Sequence, residues 1–235
     1  MRFVLLLLIF SFGQVHAASQ PLKIAVNIGP PWAFYDGEQG VVGIDVDILK
    51  HAFNELGYET EFHLLAYNRL IKDFRDGKYD VASPAAFTAD HGYLSTYYLP
   101  FEDVAVSLKS RQLTIADIQD LKGKRVIAYQ SARNVLGEEF ADAVNGNSYL
   151  EEAEREVQLT LLKNGKTDVV VGEKRLLTYI MNKLYPNVAL TIHPIFEVKP
   201  YGAILKQEFL RDRLNQQIKK MQATGEYQQI MEKWQ

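Results

Sequence analysis

Glu173 closes the apolar run Asp168-Val169-Val170-Val171-Gly172 and opens a stretch, Lys174 to Leu184, with helical spacing. An acid at the carboxyl end of a buried strand and the start of a helix faces a crevice, where it could meet a cationic or amine group. With a pKa raised by burial, the same carboxyl could protonate a leaving hydroxyl. Gln130-Ser131-Ala132-Arg133 follows a strand expected over Arg125 to Tyr129 and stands at the head of a helix expected over Ala132 to Ala143. Backbone N–H groups at such a start favour an anion, and Arg133 adds a permanent two-pronged cation. Other chemistry is missing. There is no Gly-x-Ser-x-Gly elbow, phosphate loop or His-Glu-x-x-His, the five histidines are scattered, and there is no cysteine. Neither a metal nor a cofactor is expected, and His51 and His63, in or beside predicted elements, read as structural.

The elements that must hold these residues in place carry an echo. Gly-Lys-x-Asp-Val occurs at Gly77 to Val81 and again at Gly165 to Val169, each time closing a predicted helix and opening a short apolar strand. Leu70, Ile71 and Phe74 precede the first copy at helical spacing, and Ala153, Val157 and Leu161 precede the second. Two similar α/β lobes are expected. Before the first copy lie a strand over Leu22 to Ile28, a helix over Asp45 to Leu56 and a strand over Thr60 to Leu64. The chain should cross to the second lobe at Tyr97 to Val106 and return near Val198 to Gly202. A final strand, Ala203 to Leu205, and a helix, Glu208 to Ala223, then complete the first lobe. Alternating strands and helices imply mostly parallel sheets, with ligands bound beyond the carboxyl ends of the strands.

Met1-Arg2, the apolar run Phe3 to Phe10 and Val15-His16-Ala17 have the layout of an export signal, so residues 1–17 are expected to be removed. The run is short for a bilayer span. Without cysteine the chain lacks the thiol of a lipoprotein anchor, so a free periplasmic protein is expected. Taking Arg2 from 26 basic residues against 29 acidic ones leaves a net charge of −4, which disfavours nucleic acid as a partner.

Pro30-Pro31-Trp32-Ala33-Phe34, Gly43-Ile44-Asp45-Val46-Asp47, Gly77-Lys78-Tyr79-Asp80, Leu121-Lys122-Gly123-Lys124-Arg125-Val126 and Gly225-Glu226-Tyr227 through Trp234 occur in an order and spacing that together resemble the family 3 extracellular solute-binding proteins. These are receptors that deliver polar amino acids to ABC importers. The resemblance spans nearly all of the chain after the signal. It implies an α/β, type II periplasmic binding protein fold: two lobes, each a mostly parallel sheet flanked by helices, joined by two hinge crossings. The expected division is 18–103 plus 201–235 for the first lobe and 104–200 for the second.

In that family a Thr-x-x-Arg motif clamps the α-carboxylate of the ligand, and here Thr88 is followed three positions later by His91. A neutral imidazole donates one hydrogen bond where arginine donates two with a charge, so either another cation substitutes, with Arg133 foremost, or the ligand differs. Ser131 and Ala132 stand where the family has a Gly-Ser/Thr pair that also meets the carboxylate. Glu173 matches the acid that pairs with the α-amino group. Tyr67 matches one of two aromatics that sandwich the ligand, while Gly29 stands in place of the other, with Trp32 near enough to supply a wall. Ser83, Ala85 and Phe87, on the segment after the first-lobe strand, should line the crevice. The resemblance implies a periplasmic receptor that binds a small polar molecule, an amino acid or amino-acid-like, acts as a monomer, and meets an ABC permease without being an enzyme. Two alternatives stand beside it: a lyase of the cyclohexadienyl dehydratase type with Glu173 as general acid, and a receptor that signals to a membrane sensor.

Overall fold

The computed structural model describes residues 20–85, 87, 92–146 and 148–234. Thr88 and His91 lie outside the described residues, as does the expected signal at 1–17. The chain runs β1 (Leu22–Asn27), β2 (Phe34–Asp36), β3 (Gly40–Val42), α1 (Ile44–Glu55), β4 (Thr60–Leu65), α2 (Tyr67–Arg75), β5 (Val81–Ala85) and β6 (Tyr93–Leu94). It continues through β7 (Leu99–Phe101), β8 (Asp103–Leu108), β9 (Val126–Ala128), α3 (Ala132–Leu136), α4 (Glu138–Ala143) and β10 (Tyr149–Glu151). Then follow α5 (Arg155–Lys163), β11 (Val169–Glu173), α6 (Lys174–Leu184), β12 (Leu190–His193), β13 (Lys199–Leu205), α7 (Glu208–Thr224) and α8 (Glu226–Lys233).

Besides the two-stranded β2–β3 pair, two larger sheets form, one in the order β4-β1-β5-β13-β6 and one in the order β10-β9-β11-β8-β12. Each is covered on both faces. Ile24, Phe53 and Leu214 fill one side of the first sheet, and Leu70, Phe74 and Ile204 the other. Leu121, Phe140 and Val171 fill one side of the second, and Leu159, Leu162 and Leu177 the other. β7 leaves the first sheet and pairs antiparallel with the returning β13, Phe101 opposite Lys199 and Leu99 opposite Tyr201, so a two-stranded ribbon joins the halves. The sheets are mixed, which corrects the expectation of mostly parallel ones. β1 pairs parallel with β4 and β5, and β9 with β10 and β11, but β8 and β13 run against their neighbours. Both belong to the segments that cross between sheets and so enter from the far end.

The repeated pentapeptide does the same structural work twice. Gly77 and Gly165 are both left-handed, with φ of 75° and 67°, and each sits just past a helix end. Lys78 N–H bonds to Asp73 O and Lys166 N–H to Leu161 O, the six-to-one closure of a glycine-terminated helix. The aspartate three residues on then clamps the backbone at the start of a neighbouring parallel strand, β1 in one sheet and β9 in the other. Asp80 accepts from Lys23 N–H at 2.9 Å, and Asp168 from Arg125 N–H at 3.0 Å. Asp168 also takes the Arg125 side chain, at 3.0 Å from Nε and 2.6 Å from Nη2, and these donors hold its carboxyl down to about 2. A depressed folded pKa stabilises above the unfolded value near 3.8 and is lost as pH falls through the folded one. Asp168→Ala is therefore expected to lose about 1–2 kcal/mol at pH 7, allowing for partial solvent screening, and almost nothing at pH 2. Denaturant titrations at the two pH values measure it.

Two local expectations are corrected. The helix over 132–143 breaks into α3 and α4 because Gly137 sits at φ 93°, outside helical space. The buried face of α5 is Gln158, Leu159 and Leu162, with Val157 exposed, rather than Ala153, Val157 and Leu161. The helix starts only at Arg155, so Ala153 lies outside it and the stripe rotates by one position.

Candidate functional site

Gly43 determines where one wall of the cleft begins. At φ 135° it lets Trp32 O approach to within 2.3 Å of where a side chain would start, and no other residue fits. Ile44 and Asp45 N–H then bond to Pro31 and Trp32 carbonyls, tying the start of α1 to the Trp32 turn. Trp32 and Asp45 therefore both reach the gap between the sheets. A cavity of about 280 Å³ lies there, at the carboxyl ends of β1, β5, β9 and β11, bordered by Asn27, Pro84, Tyr129 and Glu173. A larger cavity of about 860 Å³ opens between α6 and Trp234, walled by the long side chains of Lys174, Arg175 and Lys183. The smaller one is bordered by Asp45, Asp103 and Glu173 together, while of these three only Glu173 also borders the larger, so the smaller is the candidate site.

Glu173 bridges the halves. Its Oε2 accepts from Trp32 Nε1 at 2.9 Å and from Leu176 N–H at 2.8 Å, which caps α6. Its Oε1 is buried and has no partner among the described residues. Asp103 stands directly opposite Glu173 in the antiparallel β8–β11 pair and accepts from Tyr129 O–H at 3.2 Å. Asp45, fully buried, accepts from Tyr98 O–H at 2.8 Å, and the Ser83 hydroxyl bonds to the same phenol at 2.9 Å. Burial pushes all three carboxyls up, Asp45 to about 6. Three desolvated acids facing one small space favour a cation between them.

The cleft also carries positive charge. Arg155, at the start of α5, borders the cavity with its guanidinium 5.5 Å from the Tyr129 ring centre, and burial pulls it below its ordinary pKa. Lys199, from the returning strand, borders the same cavity and donates to Val135 O at 3.0 Å.

Of the residues expected to line the crevice, Trp32, Tyr67 and Glu173 border the cavity. Thr88 and His91 lie outside the described residues, and the others are placed elsewhere. Ser83 turns into the Tyr98–Asp45 network, and its neighbour Pro84 faces the cavity instead. Ala85 is buried beside Leu70 and Phe74, and Phe87 packs on Phe74 at 6.3 Å on the α2 side. Ala132 is buried in the core of the second sheet. Ser131 and Arg133 are exposed, and the anion expected at their N–H groups is already supplied by the chain: Glu151 accepts from Ser131 N at 2.7 Å and Arg133 N at 3.2 Å. Burial alone would raise the Glu151 carboxyl, but the donors from Arg133, Tyr149 and Ser131 outweigh it and hold it low. The Arg133 guanidinium lies over Tyr149, 4.5 Å from the ring centre. Arg133 thus lies on Tyr149 and is not among the residues that border the cavity.

Asp45, Asp103, Arg155 and Leu176 border the cavity without having been singled out. Asp103 was findable once β8 is paired with β11, since it then faces Glu173. No spacing in the sequence marks Arg155. Leu176 explains Gly29: a Cβ on Gly29 would sit 3.2 Å from Leu176 Cδ1, so an α6 side chain takes the room of the absent aromatic. Gly29→Phe is expected to hold the halves apart and weaken ligand binding about tenfold or more, as overpacking does. Leu176→Ala in the same chain should recover most of that loss, which calorimetric titration of the single and double variants would show.

Comparison with known proteins gives one consistent picture. The family model described as bacterial extracellular solute-binding proteins, family 3, matches residues 22–235. The chain is 23% identical over 254 residues to ABC transporter arginine-binding protein 1 of Escherichia coli (strain K12), covering 99% of this chain and 98% of that protein. It is 24% identical over 242 residues to the arginine-binding periplasmic protein of Mannheimia haemolytica, covering 100% and 98%. Among solved structures, the GluR0 ligand-binding core in complex with L-glutamate superposes with a TM-score of 0.77 at 18% identity, covering 92% of this chain and 99% of that one. An ancestral arginine-binding protein bound to arginine superposes at 0.71 with 25% identity, covering 91% and 97%.

Proposed function

We propose, from the premise that the chain belongs to the bacterial extracellular solute-binding proteins, family 3, that it is a receptor which closes two lobes on an amino acid and hands it to an ABC importer without altering it. Residues 18–103 with 201–235 form one lobe in this reading and 104–200 the other, hinged at the β7–β13 ribbon. The receptor works as a monomer in the periplasm, freed of residues 1–17, and meets a permease in the inner membrane.

One observation carries the reading. A carboxylate oxygen, Glu173 Oε1, is buried at the meeting of the lobes with no partner among the described residues, opposite a second, partly buried acid, Asp103. Leaving such groups unpaired is costly, and an ammonium group arriving between them removes the penalty. The names of the relatives point the same way, since both are arginine-binding proteins. A thermal-shift series with L-arginine, L-glutamine, L-histidine and L-glutamate tests it. Ligand at 100 times its dissociation constant stabilises by about 2.7 kcal/mol. No shift with any of them, and no change in scattering radius, would refute the receptor reading.

The raised pKa of Glu173 also suits a general acid and keeps the lyase reading testable. Loss of the prephenate absorbance on incubation with the protein would establish turnover. Unchanged prephenate supports binding alone.

A further inference from the structure

We propose that Arg155 is the group that holds the carboxylate of the solute, so that the second lobe supplies both the anion anchor and, through Asp103 and Glu173, the cation anchor. The inference rests on the reading of this cleft as an amino-acid site.

Arg155 Nη1 donates to Ala153 O at 2.8 Å and Glu152 O at 3.3 Å, and these bonds, with the Tyr129 face beneath, fix the plane of the guanidinium. Its remaining edge, Nε with Nη2, has no partner among the described residues. That edge is the two-pronged one that matches a carboxylate. No acid among the described residues forms an ion pair with it: Asp103, the nearby carboxyl in the cavity, is held by the Tyr129 hydroxyl. A half-buried guanidinium bordering a cavity with its fork open is a group arranged for an anion that arrives from outside.

The competing seats are taken, turned elsewhere or lack a fork. Glu151 fills the Ser131 and Arg133 N–H groups, and Arg133 stacks on Tyr149. Lys199 spends one of its three N–H donors on Val135 O, and an ammonium offers no planar fork for both oxygens of a carboxylate. Arg175 lies 5.9 Å from the Trp32 ring centre and borders the other cavity. Tyr129 therefore stands between two ends of one site, its ring under Arg155 and its hydroxyl on Asp103, as a zwitterion requires.

The test titrates wild type, Arg155→Met and Arg155→Lys with L-arginine, L-glutamine, agmatine and propionate, by calorimetry and by the ¹⁵N resonance of the Arg155 guanidinium. The proposal expects wild type to bind L-arginine or L-glutamine, agmatine to bind about 30-fold or more weaker than L-arginine, and Arg155→Met to lose about 30-fold or more, with Arg155→Lys in between. The Arg155 Nε resonance should move on adding the amino acid and, at higher concentration, propionate. Agmatine binding as well as L-arginine, or full affinity in Arg155→Met, overturns the anchor while leaving the receptor standing. Propionate moving the Arg155 resonance when no amino acid binds supports the anchor and refutes the amino-acid reading. If neither amino acids nor propionate move it, the anchor falls, and the receptor reading falls with it only where calorimetry also shows no amino acid binding. Should Arg155→Met fail to fold, the wild-type resonance and agmatine comparison still decide.

Discussion

Glu173→Gln is expected to leave the fold nearly as stable as before and to remove most of the affinity for an amine-bearing ligand, whereas Glu173→Ala should damage both. The difference follows from how the two carboxylate oxygens are used. Oε2 caps α6 through Leu176 N–H and accepts the Trp32 indole N–H across the cleft, and an amide oxygen can do both. Oε1 is buried without a partner among the described residues, and only there does the negative charge matter. Replacing the charge by an amide should cost ligand binding about 2–5 kcal/mol, a loss of roughly 30-fold to several thousandfold. Alanine also removes a helix cap, worth about 1 kcal/mol, and strands a buried indole donor, worth about 1–3 kcal/mol. Calorimetric binding and denaturant midpoints on the two variants separate the roles. Equal affinity in Glu173→Gln and the parent would take the charge out of the site. Since burial raises the Glu173 pKa, the carboxyl neutralises earlier than an exposed one as pH falls, and amine binding should weaken over the same range.

Asp45→Asn is expected to stabilise the ligand-free protein at pH 8 and to flatten its stability between about pH 4 and 6. The carboxyl rises from 3.8 to about 6 because it is fully buried, with its hydrogen bonds to Ser83 and Tyr98 opposing the shift only in part. A carboxyl whose folded pKa is raised holds its proton more tightly in the folded state. Its ionisation penalty is therefore absent below the unfolded pKa, grows as pH rises toward the folded one, and is fully present above it. At roughly 1.4 kcal/mol per pH unit the whole penalty is about 3 kcal/mol. Asparagine cannot ionise and still accepts the Tyr98 hydroxyl, so a gain of up to about 2 kcal/mol at pH 8 is expected, with no gain at pH 4. Thermal midpoints of both proteins across pH 4 to 8 measure this. Because Asp45 borders the cavity, a bound cation should offset the penalty in the parent and shrink the difference. An Asp45→Asn variant that tracks the parent at every pH would mean the carboxyl is solvated.

The sequence by itself determined the alternation of strands and helices and the two-lobe plan, because both are written in local patterns. Apolar periodicity marks β1, α1, β4 and α7, and the two Gly-Lys-x-Asp-Val copies mark where a helix must stop and a strand be clamped. Lys174 to Leu184 reads as a helix and is one. Glycine at a left-handed helix end and aspartate on a strand amide act within a few bonds or across one neighbour, so residue types at fixed spacing suffice. Even at this level Gly137 was missed as a break, since a lone glycine in a helical pattern declares nothing until its φ is known.

The composition of the cleft was decided by tertiary structure. Glu173 was legible, as the acid after a buried strand, but its bond to Trp32 joins residues 141 positions apart. Asp103 faces it only because β8 runs antiparallel to β11. Glu151 reaches the Ser131 and Arg133 N–H groups because β10 lies beside β9. Arg155 enters the cavity while Arg133, equally charged and also near the start of a helix, turns away onto Tyr149. A charged side chain's role depends on which partners the fold brings within about 3 Å, and those partners come from strands far apart in the chain.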